Sequence, residues 1–306
     1  YAGGDIAVKD AWTLTAGDSR VVVAVLDGPV KYDHPDLAPN MWKNASEVPG
    51  DGIDNDRNGY ADDVYGWNCI DRNGNIDWNH RNESGHGTHV AGIVAAANGN
   101  GLGVCGTAGG TGNGDGVRMM SCQIFENSAN GGKTGDRTVA DAFIYAADNG
   151  ASIASCSFGS PAGDTFYYDS DNLYKAQAGV EYDAIQYFID PANANCPAVG
   201  GNIIVFSTGN NGKNVSGYPG ALKDVIGVAA FAPDYLPTSY TNFGPGTNIA
   251  APGGDYSINS TSATPQRSQI LSTLPKELGT GEYGYMQGTS MACPHVSGVV
   301  ALALSY

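Results

Sequence analysis

Val21-Val22-Val23-Ala24-Val25-Leu26 is an unbroken run of six apolar residues, closed by Asp27-Gly28-Pro29-Val30. A strand that is apolar on both faces has no wet side, so it belongs inside a parallel sheet covered above and below. Further strands fit 117–123, 151–156, 202–207 and 225–231. Helical patterns fit 86–98, 137–149, 179–189 and 290–304; in 137–149, Val139, Ala140, Phe143, Ile144 and Ala147 recur at steps that make one apolar stripe. Strands alternating with helices predict an α/β domain with a mainly parallel central sheet and helices on both faces. No internal repeat or linker interrupts the pattern, so 1–306 reads as one domain. The segments 161–178 and 252–282 are polar, turn-rich and aperiodic, and read as surface insertions.

Asp27 ends its strand at the carboxyl edge of the sheet, where ligand crevices open in α/β folds. A turn-capping aspartate before Gly-Pro is the plainer alternative. Far downstream, Gly288-Thr289-Ser290-Met291-Ala292-Cys293-Pro294-His295 sets a small serine directly ahead of the apolar run Val296 to Leu304. Ser290 therefore sits at a helix start, where unpaired backbone N–H groups and positive dipole character favour developing negative charge. A serine hydroxyl is a poor nucleophile at neutral pH and needs a base beside it. Ser84-Gly85-His86-Gly87-Thr88-His89-Val90-Ala91-Gly92 offers one: His86 stands between two glycines at the start of an apolar helical stretch. A metal-binding pair, His86 with His89, is the competing possibility, but no glutamate follows His86 as the H-E-x-x-H zinc motif requires. His89 lies one turn into the helix and reads as a structural histidine.

Asp27, His86 and Ser290, in this chain order and on these elements, resemble the subtilisin-like serine peptidases, the subtilases. The resemblance runs from about Trp12 to the end, and implies the family's three-layer fold and hydrolysis of peptide bonds by an Asp-His-Ser triad. Ser290 would attack the carbonyl, His86 would take and return the proton, and Asp27 would hold the imidazole. The stretch Asn202-Ile203-Ile204-Val205-Phe206-Ser207-Thr208-Gly209-Asn210-Asn211-Gly212 resembles the family's oxyanion-hole segment, which implies that Asn210 donates to the oxyanion. The family usually places serine or threonine between its aspartate and a glycine; here the order is Asp27-Gly28-Pro29. The alternative function is a subtilase-like domain that binds peptides or acts as a scaffold with weak or no cleavage. Its mark would be a missing catalytic group, and all four are present in the sequence.

The resemblance also implies how substrate is held. Ser157, Phe158 and Gly159 match the strand on which a peptide adds as a further strand. Gly209 belongs to the same cleft, and Gly217 in Gly217-Tyr218-Pro219-Gly220 matches the far wall of the primary specificity pocket, where a glycine leaves volume for a large side chain. Ordinary strand and turn roles are the alternative for both stretches. Polypeptide substrates, and the chain's own pro-segment, are the partners this implies.

Asp54, Asp56 and Asn58, followed by Gly59, match the opening D-x-D-x-N-G of a calcium loop. Tyr60 would add its carbonyl, and Asp62 or Asp63 would complete the set. No glutamate closes the loop at its twelfth position, so it is not an EF-hand, but it resembles calcium loops of some subtilases; a solvated acidic turn is the alternative. The resemblance suggests a second calcium site from Asp5, Asp36 and the loop Asn100-Gly101-Leu102-Gly103-Val104.

The formal net charge is −16, from 31 acidic against 15 basic residues, which argues against a nucleic-acid partner and fits an extracytoplasmic, calcium-containing setting, secreted or in the cell envelope. No apolar run approaches the ~18 residues of a membrane span. The start Tyr1-Ala2-Gly3-Gly4-Asp5 reads as a mature or trimmed end, and Leu304-Ser305-Tyr306 stops inside a helical pattern, so the chain is expected to continue past 306. The six cysteines are expected to be mostly buried free thiols, since a chain of this length needs no disulfide framework.

Overall fold

The computed structural model describes residues 5–76, 78, 85–125, 135–160, 168–196, 199–258, 268–279 and 281–306. After a one-turn helix, α1 (Val8–Ala11), seven strands form the central sheet: β1 (Val22–Asp27), β2 (Gly66–Asn68), β3 (Arg118–Gln123), β4 (Ile153–Cys156), β5 (Ile203–Ser207), β6 (Ile226–Phe231) and β7 (Ile249–Pro252). Their order is β2-β3-β1-β4-β5-β6-β7, with every pairing parallel. The order reverses beside β1, which pairs with β3 on one side and β4 on the other. A crevice opens at such a reversal, outside the carboxyl ends of the strands. Asp27 lies there as the last residue of β1.

The apolar run of β1 divides by alternation. Val22, Ala24 and Leu26 join one core layer, with Phe143, Ile185 and Phe188 of α3 (Asp136–Asp148) and α5 (Gly179–Ile189). Val21, Val23 and Val25 join the other, with Val90 and Val94 of α2 (His86–Ala95) and Met291 and Val296 of α6 (Thr289–Ser305). Phe143 is fully buried, its ring 5.8 Å from Phe188 and 6.3 Å from Phe206. Burying one such side chain contributes roughly 1.5–3 kcal/mol.

The expected strands and helices lie within a few residues of their observed bounds. Helix α2 ends at Ala95 rather than at 98, because Ala97 N–H turns to Asp36 O and Asn98 N–H to Gly109 O. The short edge strands β2 and β7 were not anticipated. Of the two expected insertions, residues 161–167, 259–267 and 280 lie outside the described residues. The rest of both segments is described. Ser170 caps α4 (Asp171–Gln177), its hydroxyl accepting from Leu173 N–H. Strands β8 (Ile270–Thr273) and β9 (Tyr283–Met286) form an antiparallel hairpin. That hairpin is bound to α2: Ser272 Oγ donates to His89 O at 2.7 Å, and Thr273 Oγ1 to Thr88 O at 2.8 Å. All six cysteines are free; Cys69, Cys122, Cys156 and Cys293 are buried, Cys196 is half-buried, and Cys105 is exposed, contrary to the expectation for it.

Candidate active site

The end of β1 and the start of α2 meet by close backbone packing. A Cβ at residue 87 would fall 2.1 Å from Gly28 O, so only glycine lets the first turn of α2 rest on the loop after Asp27. His86 is thereby set beside Asp27, and its Nδ1–H donates to Asp27 Oδ1 at 2.7 Å. Gly28 N–H donates to the same oxygen, also at 2.7 Å. The carboxylate fixes the tautomer: with the proton on Nδ1, Nε2 is left as the acceptor. Asp27 is 1% exposed and the His86 side chain 31%, so the ring stands between the buried carboxylate and solvent. Gly28 brings no hydroxyl where the family usually carries one, and Asp27 Oδ2 is buried without a hydrogen-bond partner among the described residues.

Ser290 lies in the first turn of α6. Pro294, four residues on, has no N–H to give to Ser290 O. Ser157 Oγ takes that place at 2.8 Å, and Ser290 Oγ in turn donates to Ser157 O at 3.2 Å. This reciprocal pair ties the end of β4 to the serine. Ser290 N–H, at the helix start, has no hydrogen-bond acceptor among the described residues.

Asn210 follows β5 and is exposed. Its Oδ1 accepts from both Thr289 N–H and Thr289 Oγ1, each at 2.9 Å, which turns Nδ2 away from Thr289. Gly288, at φ 149°, caps α6 without a side chain. A Cβ there would stand 3.5 Å from Ser290 N and 3.6 Å from Asn210 Nδ2. Ser290 N and Asn210 Nδ2 thus both lie within 4 Å of that point at the start of α6.

A family model for the subtilases matches residues 18–306. The chain belongs to the subtilase family. It is 32% identical to halolysin of Haloferax mediterranei over its whole length, which is 45% of that protein. It is 29% identical to thermitase of Thermoactinomyces vulgaris, again over its whole length and over 82% of thermitase. Among solved structures, a protease of Pseudoalteromonas arctica superimposes with a TM-score of 0.64 at 27% identity, covering 99% of this chain and 83% of that one. The chain thus spans about half of halolysin and most of thermitase.

In this subtilase Ser157, Phe158 and Gly159 follow directly on β4. Beside them lies a cavity of about 180 Å³ whose walls include Phe125, Val139, Phe158, Pro219 and Glu181. Gly217 is not among its lining residues. A Cβ at Gly217 would fall 2.4 Å from Ser160 O and 3.4 Å from Thr208 O. The glycine lets two backbones approach, and Gly217→Val would displace the segment 157–160 that follows β4 rather than merely fill a pocket. His89 stands apart from the cleft chemistry. It is fully buried, and its Nε2–H lies 3.1 Å from Ile270 O and 3.2 Å from Gly284 O. Burial pushes its imidazolium down to about 4.

The acidic loop assembles differently from the expectation. One oxygen each from Glu47, Asp54 and Asp56 lie within 4.8 Å of one another. Asp62 instead closes a turn, accepting from the N–H groups of Gly50, Asp51 and Gly52. Asp63 is buried and accepts from Asn44 Nδ2, Asn58 Nδ2 and Tyr145 Oη, while burial raises its proton affinity. Asn58 Oδ1 accepts from Tyr60 N–H, and the Tyr60 ring packs on Trp67 and Tyr145. Glu47 went unrecognised because it precedes the motif; no spacing rule marks it. Asp36 is buried and accepts from Asn100 Nδ2 at 2.6 Å and Val104 N–H at 3.1 Å; Asp5 is exposed and caps Ala7 N–H.

Proposed function

We propose that this subtilase is a serine endopeptidase that cleaves polypeptides through an acyl-enzyme on Ser290. The 2.7 Å contact between Asp27 and His86, with Ser290 N and Asn210 Nδ2 both near the start of α6, carries the reading. The Ser290 hydroxyl turns from Ser157 O to His86 Nε2, which takes its proton as Oγ bonds to the substrate carbonyl carbon. Asp27 stabilises the imidazolium without taking the proton. Asn210 Nδ2–H and Ser290 N–H hold the oxyanion. His86 then protonates the leaving amine as the C–N bond breaks, and water repeats the sequence to free Ser290. Ser157, Phe158 and Gly159 pair with the substrate backbone, and the cavity beside them, walled by Phe125, Val139, Phe158 and Pro219 with Glu181 at one side, receives a large apolar side chain. Digestion of a peptide library, with cleavage sites read by mass spectrometry, tests this: the wild type generates new termini and Ser290→Ala generates none above background. Binding of peptides without cleavage by the wild type would instead support a scaffold role.

The remaining assignments rest on the same reading. Residues 1–306 act as one catalytic domain, matured by removal of a pro-segment and working outside the cytoplasm. A structural calcium ion fits the all-oxygen donor set of Glu47, Asp54 and Asp56, since a hard cation takes carboxylate oxygens. A bound ion would offset their mutual repulsion. At a hundredfold excess over Kd it adds about 2.7 kcal/mol, so chelation is expected to lower Tm by roughly 4 °C. Melting curves of Ser290→Ala with and without chelator measure this free of self-digestion. Glu47→Gln and Asp54→Asn should each blunt the response; superimposed curves would leave the loop a solvated acidic turn.

A further inference from the structure

Asn210 is anchored twice, and only one anchor is its own side chain. The other is Asn242, fully buried in the segment between β6 and β7. Its Nδ2 donates to Thr208 O at 2.9 Å. Its Oδ1 accepts from Asn211 N–H at 3.0 Å and from Lys213 N–H at 3.1 Å. Its backbone N–H donates to Gly209 O at 2.9 Å, and its carbonyl accepts from Thr208 Oγ1 at 3.2 Å. One residue thus binds the chain on both sides of Asn210, at positions 208, 209, 211 and 213.

The fit is close. Gly209 has φ 101°, and a Cβ there would fall 2.6 Å from Asn242 Nδ2. The glycine before Asn210 is therefore required by the approach of Asn242, besides any contact with substrate. Asparagine suits the position because it offers a donor toward Thr208 O and an acceptor toward the N–H groups of Asn211 and Lys213. Aspartate would turn a carboxylate oxygen on the Thr208 carbonyl, and alanine would take the acceptor from the N–H groups of Asn211 and Lys213 and leave Thr208 O with Gly217 N–H alone.

We propose that Asn242 is a positioning residue for the oxyanion donor: it fixes the backbone of 208–213 so that Asn210 Nδ2 faces the volume beside Ser290. This rests on the reading that Asn210 donates to the oxyanion. Preorganised donors stabilise charge because they need not reorganise during the reaction, and a small misplacement costs up to ~10²-fold in rate.

A double-mutant cycle tests it, using kcat for one peptide substrate in the wild type, Asn210→Ala, Asn242→Ala and the double variant. Competent enzyme is counted by fluorophosphonate titration. Asn242→Ala is expected to lower kcat about tenfold or more with KM changed less than about twofold, and to add nothing once Asn210 is alanine. The same fold loss in both backgrounds would overturn the proposal, since a general packing defect does not need Asn210. If Asn210→Ala alone leaves kcat unchanged, the oxyanion assignment fails first and the positioning role with it. Asn242→Ser, which keeps one hydroxyl, takes the place of alanine if that variant does not fold. Its kcat should lie between wild type and Asn210→Ala, and an unchanged kcat with a lowered Tm would make Asn242 purely structural.

Discussion

Alanine at position 86 is expected to lower kcat for a peptide by about 10⁴- to 10⁶-fold, with Tm nearly unchanged. His86 is the base in this account, and its ring is 31% exposed rather than part of the core. His89 should behave in the opposite way. It is fully buried on the hairpin side of α2, neutral, and bound to the Ile270 and Gly284 carbonyls. Its ordinary value near 6.5 is pushed to about 4 by burial, so it does not titrate in the folded enzyme near neutrality. His295, whose Nδ1–H donates to Met291 O at 2.8 Å, is likewise pushed to about 4 by burial. The sign follows by linkage. Between pH 6.5 and 4 the unfolded chain binds the protons that these two histidines refuse when folded, so stability falls as pH falls through that window and is insensitive to them above it. His89→Gln should lower Tm near neutrality and make the acid fall shallower, while kcat/KM keeps the acid limb that belongs to His86. Loss of that limb in His89→Gln, with His86→Ala still active, would reverse the two roles.

Asn210→Ala is expected to reduce kcat by about 10²- to 10³-fold with little change in KM, because an oxyanion exists only beyond the ground state. Gly288→Ala probes the same volume from the other side. Its methyl would stand 3.5 Å from Ser290 N and 3.6 Å from Asn210 Nδ2, in the space between the two donors. It should also lower kcat steeply, and the two substitutions together should cost much less than the product of their separate effects. Steady-state kinetics of the four forms measures this. A Gly288→Ala enzyme with wild-type kcat would mean that the oxyanion does not occupy this volume.

The elements that carry Asp27, His86 and Ser290 were legible because their sequence signals are physical and local. Val21–Leu26 is apolar on both faces and reads as a central parallel strand. The glycine after His86 marks a helix start pressed against another backbone. Where polarity was taken for exposure, the reading failed: Ser272 and Thr273 are polar because their hydroxyls bond to carbonyls of α2, not because they face water. The edge strands escaped notice because β2 has three residues and β7 four, too short for a period-2 pattern to register. Gly217 carried an ambiguous signal, since a missing side chain marks a pocket or a close approach equally well, and the structure shows a close approach to the backbone of Ser160. Glu47 and Asn242 had no local signal at all. Each acts on residues that only the tertiary fold brings to it.

Covalent labelling shows whether Ser290 is the nucleophile. The wild-type protein is treated with a fluorophosphonate and digested, and the adduct is located by tandem mass spectrometry, with Ser290→Ala and His86→Ala treated in parallel. The account predicts a single stoichiometric adduct on Ser290 Oγ, none in Ser290→Ala, and labelling slowed by orders of magnitude in His86→Ala. An adduct on another residue, or equal labelling of folded Ser290→Ala, would contradict it.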